Sequence, residues 1–222
     1  MALLLAIETS TKNCSVALFE NGVLLQLKEQ NSDKYLHAEK LTLFIEELIK
    51  RTGINLKEID GIILSKGPGS YTGLRIGTST AKGLCYSLDI PLVTISTLRA
   101  MAFGMSSKQD YKLYCPMIDA RRMEVFSSIY DHKNNKVREI RADIVDPYIY
   151  LDFLKDKVLF FGDGASKCKT TINNPNAHFI DNIFPSAKDL GILGMEKFVE
   201  KDFDNVAYFE PNYLKDFILG AK

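Results

Sequence analysis

Residues 65–83, SKGPGSYTGLRIGTSTAKG, follow the apolar run GIILS at 61–65. A short strand that runs into a glycine-rich turn and then a helix is a building unit of α/β architecture. Three glycines, Gly73, Gly77 and Gly83, fall inside that helix. Each costs about 1 kcal/mol relative to alanine in a helix interior, so some close contact has to offset them. Gly73, Gly77 and Ala81 recur every four residues and lay a stripe of minimal side chains along one helical face. The stripe is a packing surface, either for the chain's own sheet or for a helix of another subunit. The same stretch fails as a P-loop, because neither Gly67 nor Gly69 is followed by lysine and a hydroxyl residue. It fails as a dinucleotide fingerprint too, since Thr72 stands at the third glycine and no acid ends the next strand at 91–95. What remains is a helix N-terminus, where backbone N–H groups favour a phosphate or a carboxylate.

The rest of the chain predicts two rounds of one pattern. ALLLAIET, CSVALFE and VLLQLK read as a meander of three strands, with Asn21-Gly22 as the tight turn. Leu41, Phe44, Ile45, Leu48 and Ile49 then follow helical spacing, with Gly53 as the stop. GIILS, the glycine-rich helix to about Ser87 and PLVTI at 91–95 complete the first round. LYCPMID, MEVFSSIYD and KVREIRADIV begin the second, and VLFFGDG and HFID, separated by a short helix, continue it. A late helix spans 186–200 with Ser186 as N-cap. The polar stretch GMSSKQD at 104–110 is the one plausible boundary. The expected division is therefore 1–104 and a smaller second lobe at 105–222, with the last helix packing back on the first lobe.

Lys plus Arg and Asp plus Glu both number 28, so no long-range field draws the chain to nucleic acid or to an anionic membrane. Any RNA contact has to be local or shared with a partner. Cys14, Cys85, Cys115 and Cys168 are far apart, which suits buried reduced thiols rather than a metal site. The opening MALLLAIETS lacks a basic region and reaches Glu8 within eight residues, so it reads as a strand and not a secretion signal. No run approaches the roughly 18 apolar residues of a membrane span, and the expected location is the cytoplasm. His37, His132 and His178 assemble no metal triad, and Ser10, Ser15 and Ser70 lie outside the context of a hydrolase nucleophile. IDARRMEV at 118–125 sets Asp119, Arg121, Arg122 and Glu124 at a strand mouth, as an ion-pair network or a ligand clamp.

LLAIETSTKNCSVAL, SKGPGSYTGLRIGTSTAKGL, PLVTISTL and DARRMEVF together resemble the TsaB family, formerly YeaZ, with GDGA at 162–165 and PNYLK at 211–215 as weaker agreements. The resemblance covers nearly the whole chain. It implies the actin-like ATPase, ribonuclease H-like α/β fold of sugar kinases and Hsp70, with duplicated βββαβα lobes. It also implies partnership with TsaD, which transfers threonylcarbamoyl to the adenosine 3′ of the anticodon in tRNAs reading ANN codons, and with the ATPase TsaE. TsaD-like proteins carry an H-x-x-x-H metal pair where this chain has Thr97 and Met101, and acids in the first phosphate loop where it has Lys12 and Asn13. Neither Thr nor Met replaces an imidazole ligand. The resemblance thus implies a scaffold with no catalytic or metal residues, whose tRNA contact runs through the complex.

In this family two helices of the first lobe form a homodimer and an overlapping heterodimer with TsaD. Carried over, they give Leu41, Phe44, Ile45 and Leu48 on one helix and Gly73, Leu74, Gly77 and Ala81 on the other. The phosphate loops correspond to Ser10, Thr11, Gly67, Gly69 and Ser70, with no stably bound cofactor and with ATP or ADP only at the interface of the complex. The competing expectation is a small ATP-dependent phosphotransferase on the same fold, using Glu8 and Asp119. Peptidase chemistry has no nucleophile, base or metal set to support it.

Overall fold

The computed structural model describes residues 2–32 and 36–215. They form two compact units, Met1–Met101 with Phe184–Pro211 and Ala102–Ile183 with Asn212–Lys222. The chain thus returns to the first unit after the second, and 184–211 do not group with the rest of 105–222.

The first unit opens with β1 (Leu3–Glu8), β2 (Asn13–Glu20) and β3 (Val23–Asn31), an antiparallel meander. Asn21 and Gly22 both have positive φ, 49° and 82°, as a type I′ turn requires. Helix α1 (His37–Thr52), β4 (Gly61–Ser65), α2 (Tyr71–Leu88) and β5 (Leu92–Ile95) follow. The sheet order is β3-β2-β1-β4-β5, with β1, β4 and β5 parallel. Every residue of β1 and β4 is buried, which explains their unbroken apolar runs: a central parallel strand is covered on both faces. Helix α3 (Thr97–Ser106) begins here and contains the division between units. No expectation covered it. Helix α4 (Ala187–Val199) lies on β1, β2, β4 and β5, where Gly194 leaves room for Ile63.

The second unit repeats the plan with β6 (Leu113–Asp119), β7 (Glu124–Asp131), β8 (Lys136–Ile144), β9 (Val158–Phe161) and β10 (Ala177–Ile180). Its order β10-β9-β6-β7-β8 has the same pairing senses as the first sheet. Duplicated β-meanders, each extended by two parallel strands, are the actin-like ATPase fold. Turns replace the helix between β8 and β9, and the expected short helix between β9 and β10 is a single 3-10 turn, Ser166–Cys168.

The interface expectation for α1 and α2 is corrected by their packing. Leu41, Phe44, Ile45 and Leu48 are buried in the first unit's core with Leu5, Val16 and Leu64. On α2, a Cβ at Gly73 would lie 2.1 Å from the Thr9 carbonyl oxygen, and one at Gly77 would lie 2.3 Å from Thr9 Oγ1. Thr9 Oγ1 donates to the Gly73 carbonyl at 2.8 Å. Leu74 and Ala81 are buried as well. The stripe therefore meets the end of β1 in its own chain. The residues of these helices open to another molecule are others, among them Leu43 and Tyr86, which are 53% and 88% exposed.

A second buried device fixes the other sheet. Arg138 clasps Asp143 through two hydrogen bonds of 2.7 Å, and Asp143 also accepts from Ser127 Oγ at 2.5 Å and Tyr150 Oη at 3.1 Å. Burial pushes the Asp143 carboxyl up, but the guanidinium and hydroxyl donors outweigh it and hold the group below the usual carboxylate range.

Two predictions follow these contacts. In α2, Gly83 faces open space. Gly83→Ala should therefore stabilise by about 1 kcal/mol, whereas Gly73→Ala, which drives a methyl into the Thr9 carbonyl, should destabilise by about 1 to 3 kcal/mol. Thermal melts of the pair check the opposite signs. Asp143→Asn leaves a buried guanidinium short of its counter-charge and should lower stability by about 3 to 5 kcal/mol in urea titrations. Because Asp143 is depressed in the fold, its contribution is present above the unfolded pKa and is lost as pH falls through the folded value. The variant should accordingly show a flatter acid limb below pH 3.8.

Candidate functional site

The carboxyl ends of parallel strands are where open α/β sheets gather ligands. Here the ends of β1 and β4 carry the segment Glu8 to Thr11 and the glycine-rich turn before α2. The two are fastened to each other. Ser70 N donates to the Ser10 carbonyl at 2.6 Å, and a Cβ at Gly69 would lie 2.2 Å from that same oxygen. Gly67, in the left-handed region at φ 94°, accepts from Thr97 N at 3.1 Å. Ser70 Oγ caps α2 by accepting from Gly73 N at 3.2 Å. His37 Nε2 donates to the Thr11 carbonyl at 2.7 Å, which ties the start of α1 to the same loop. Burial pushes the His37 imidazole below its ordinary range, so it is neutral at pH 7, with the proton on Nε2.

Glu8 is fully enclosed. Its Oε1 accepts from Ser10 N at 2.7 Å and Ser65 Oγ at 3.0 Å, while Oε2 is buried with no hydrogen-bond partner among the described residues. Burial, only partly offset by those donors, raises its pKa above the usual carboxylate range. Such burial disfavours the charged form that a cation ligand requires.

The five expected phosphate contacts are brought together, but as a staple. Ser10 and Thr11 are buried, Ser10 N is bonded to Glu8, and Ser70 N is bonded to Ser10. A phosphate cradle needs amides aimed outward. The amides of Ser10 and Ser70 are engaged inward, and the glycine-rich turn meets the protein's own backbone at Gly69. Lys12, in place of an acid, is exposed, and Asn13 Nδ2 donates to the Pro185 carbonyl at 2.9 Å. These residues do not fit a nucleotide phosphate held by this loop alone.

The donor set does not fit a metal either. Thr97 and Met101 are buried on α3 and offer a hydroxyl and a thioether. Among the described residues no group of three His, Cys, Asp or Glu could hold an ion. His132 sits in the β7–β8 turn and His178 packs its ring 5.3 Å from Tyr111. The four cysteines are buried free thiols; burial pushes Cys14 and Cys85 up to about 12.

In the second unit, the hairpin between β6 and β7 settles the charges of IDARRMEV. Asp119 accepts from Arg121 N at 3.0 Å and is ion-paired with Lys167. Its own N–H donates to Asp163 Oδ1 at 3.0 Å, and Lys215 pairs with Glu124. The acids are therefore part of an ion-pair network. Sequence reasoning missed both lysines, which come from 48 and 91 residues away and carry no local signal. Arg121 and Arg122 stand at the exposed tip with left-handed φ of 69° and 49°. That backbone region costs a non-glycine residue about 1 kcal/mol.

The family described as TsaD, tRNA N6-adenosine threonylcarbamoyltransferase, matches residues 31–219. The tRNA threonylcarbamoyladenosine biosynthesis protein TsaB of Bacillus subtilis is 31% identical over 96% of this chain and 93% of its own length. TsaB of Haemophilus influenzae is 28% identical over 99% and 96%. The solved structure of YeaZ from Pseudomonas aeruginosa superimposes with a TM-score of 0.82 at 26% identity, covering 96% of this chain and all of that one. The chain belongs to the TsaB family, a branch of the TsaD-like domains.

Proposed function

We propose that this protein is a non-catalytic subunit of tRNA threonylcarbamoyladenosine formation, required with TsaD and TsaE for modification of the adenosine 3′ of the anticodon in tRNAs reading ANN codons. Full-length similarity to proteins named for that biosynthesis supports the assignment to t6A. The observation that carries the non-catalytic part is the loop after β1. The Ser10 amide there is hydrogen-bonded to Glu8, the Ser70 amide of the facing glycine-rich turn is hydrogen-bonded to Ser10, and Glu8, at the end of β1, is enclosed with a raised pKa; the resemblance to TsaD-like proteins sets Thr97 and Met101 where those carry their metal pair. The chain holds no cofactor stably by itself, and ATP or ADP binds only where the subunits meet. The exposed flanks of α1 and α2, rather than their buried stripe, meet TsaD, and the same faces form a homodimer when the chain is alone.

Reconstitution of tRNA modification with TsaD and TsaE, with and without this chain, tests the proposal. Nucleoside mass spectrometry should find modified adenosine only when the chain is present, and the chain alone should hydrolyse ATP no faster than buffer. ATP turnover that follows the chain through purification and vanishes in Glu8→Ala or Asp119→Ala would replace the proposal with a phosphotransferase.

A further inference from the structure

The tip of the β6–β7 hairpin holds two adjacent arginines on a backbone that suits asparagine and glycine. Arg121 and Arg122 have φ of 69° and 49°, the left-handed region in which asparagine and glycine are favoured over arginine. The turn is rigid. Ala120 N donates to the Glu124 carbonyl at 3.1 Å, Glu124 N donates to the Arg121 carbonyl at 3.1 Å, and Asp119 Oδ1 accepts from Arg121 N at 3.0 Å. Nearby acids are already engaged: Asp119 by Lys167, Glu124 by Lys215, and Asp163 by the Asp119 amide. Among the described residues nothing forms a hydrogen bond or ion pair with either guanidinium, and both residues are exposed. Lysines thus take up the local negative charge and leave two fork-shaped donors facing solvent on a fixed support.

We infer that Arg121 and Arg122 form a phosphate-binding clamp for the backbone of an RNA substrate. A guanidinium presents its N–H donors in a planar fork that matches two phosphate oxygens, and an exposed, pre-positioned fork loses little freedom on binding. The chain's zero net charge provides no diffuse attraction for RNA, so any contact this chain itself makes with a polyanion needs a local cationic element, and this pair is one. Phosphate contacts set the register of a nucleic acid without reading its bases, which suits a subunit that positions substrate for a catalytic partner. The inference rests on the proposed role in tRNA modification.

The test uses this chain reconstituted with TsaD and an unmodified tRNA reading an ANN codon. The double variant Arg121→Asn with Arg122→Gly removes both guanidinia and supplies residues the turn prefers, so its melting temperature should stay level or rise. Its tRNA affinity should fall about tenfold at moderate salt, and the slope of log K against log salt should shrink by about 1.4 to 1.8, as loss of two phosphate contacts requires. The double variant Arg121→Lys with Arg122→Lys should restore most of the salt slope. Unchanged tRNA affinity and slope in a folded Asn-Gly variant would overturn the clamp. So would loss of TsaD association with tRNA binding by the remaining complex intact, which would make the pair a protein contact. Loss of ATP binding with tRNA binding unchanged would likewise overturn it, because the phosphate would then be a nucleotide's. If instead the wild-type chain fails to support modification at all, the proposed function fails, whatever the clamp does.

Discussion

The contact between the loop after β1 and the first turns of α2 is the constraint on which the first unit depends. Thr9 and Ser10 present two carbonyls and the Thr9 hydroxyl to a helix and its leading turn that can approach only because Gly69, Gly73 and Gly77 lack a Cβ; added methyls there would meet these oxygens at 2.1 to 2.3 Å. The 2.6 Å bond from Ser70 N and the 2.8 Å bond from Thr9 Oγ1 then close the junction with hydrogen bonds. Interiors pack to crystal-like density, so a helix held at this distance dictates the side chains around it. His37, Leu64 and the buried flank of α1 take their places from it.

The same contact decides what the site can do. A loop that binds phosphate must leave its amides pointing at the ligand, and here two of them point at the protein. A carboxylate that organises a metal must be ionised, and Glu8 is buried where its charge is disfavoured. The fold is that of an actin-like ATPase lobe, and the polar groups of Thr9, Ser10 and Ser70 fasten its loops to one another. In the proposed role, binding falls to the exposed parts of α1 and α2 and to the hairpin tip at Arg121 and Arg122.

Much of the fold was legible in the sequence, because its signals are local. The Asn21-Gly22 turn, the unbroken apolar run of β1, the helical spacing of α1 and the repeat of the meander each need only a short window. Helix α3 escaped because Leu98, Ala100, Met101, Ala102 and Met105 are buried nearly all round it, which removes the amphipathic contrast that marks a surface helix. The stripe on α2 was legible as a close approach, but helical period tells which residues share a face and nothing about what lies opposite. Thr9 is 64 residues away from Gly73. The ion pairs of Asp119 and Glu124 were illegible for the same reason, since Lys167 and Lys215 reach them across distant parts of the chain.

The α2 stripe closes on its own chain. Amide hydrogen exchange at Ser70, measured by NMR on the protein without any partner, tests it most directly. The account predicts that this amide, bonded to the Ser10 carbonyl, exchanges only through global unfolding, as slowly as Ile7 in β1 and at a rate independent of protein concentration. Rapid exchange at Ser70 that slows only at high concentration or on addition of a partner would show that another molecule completes the contact, and would contradict the account.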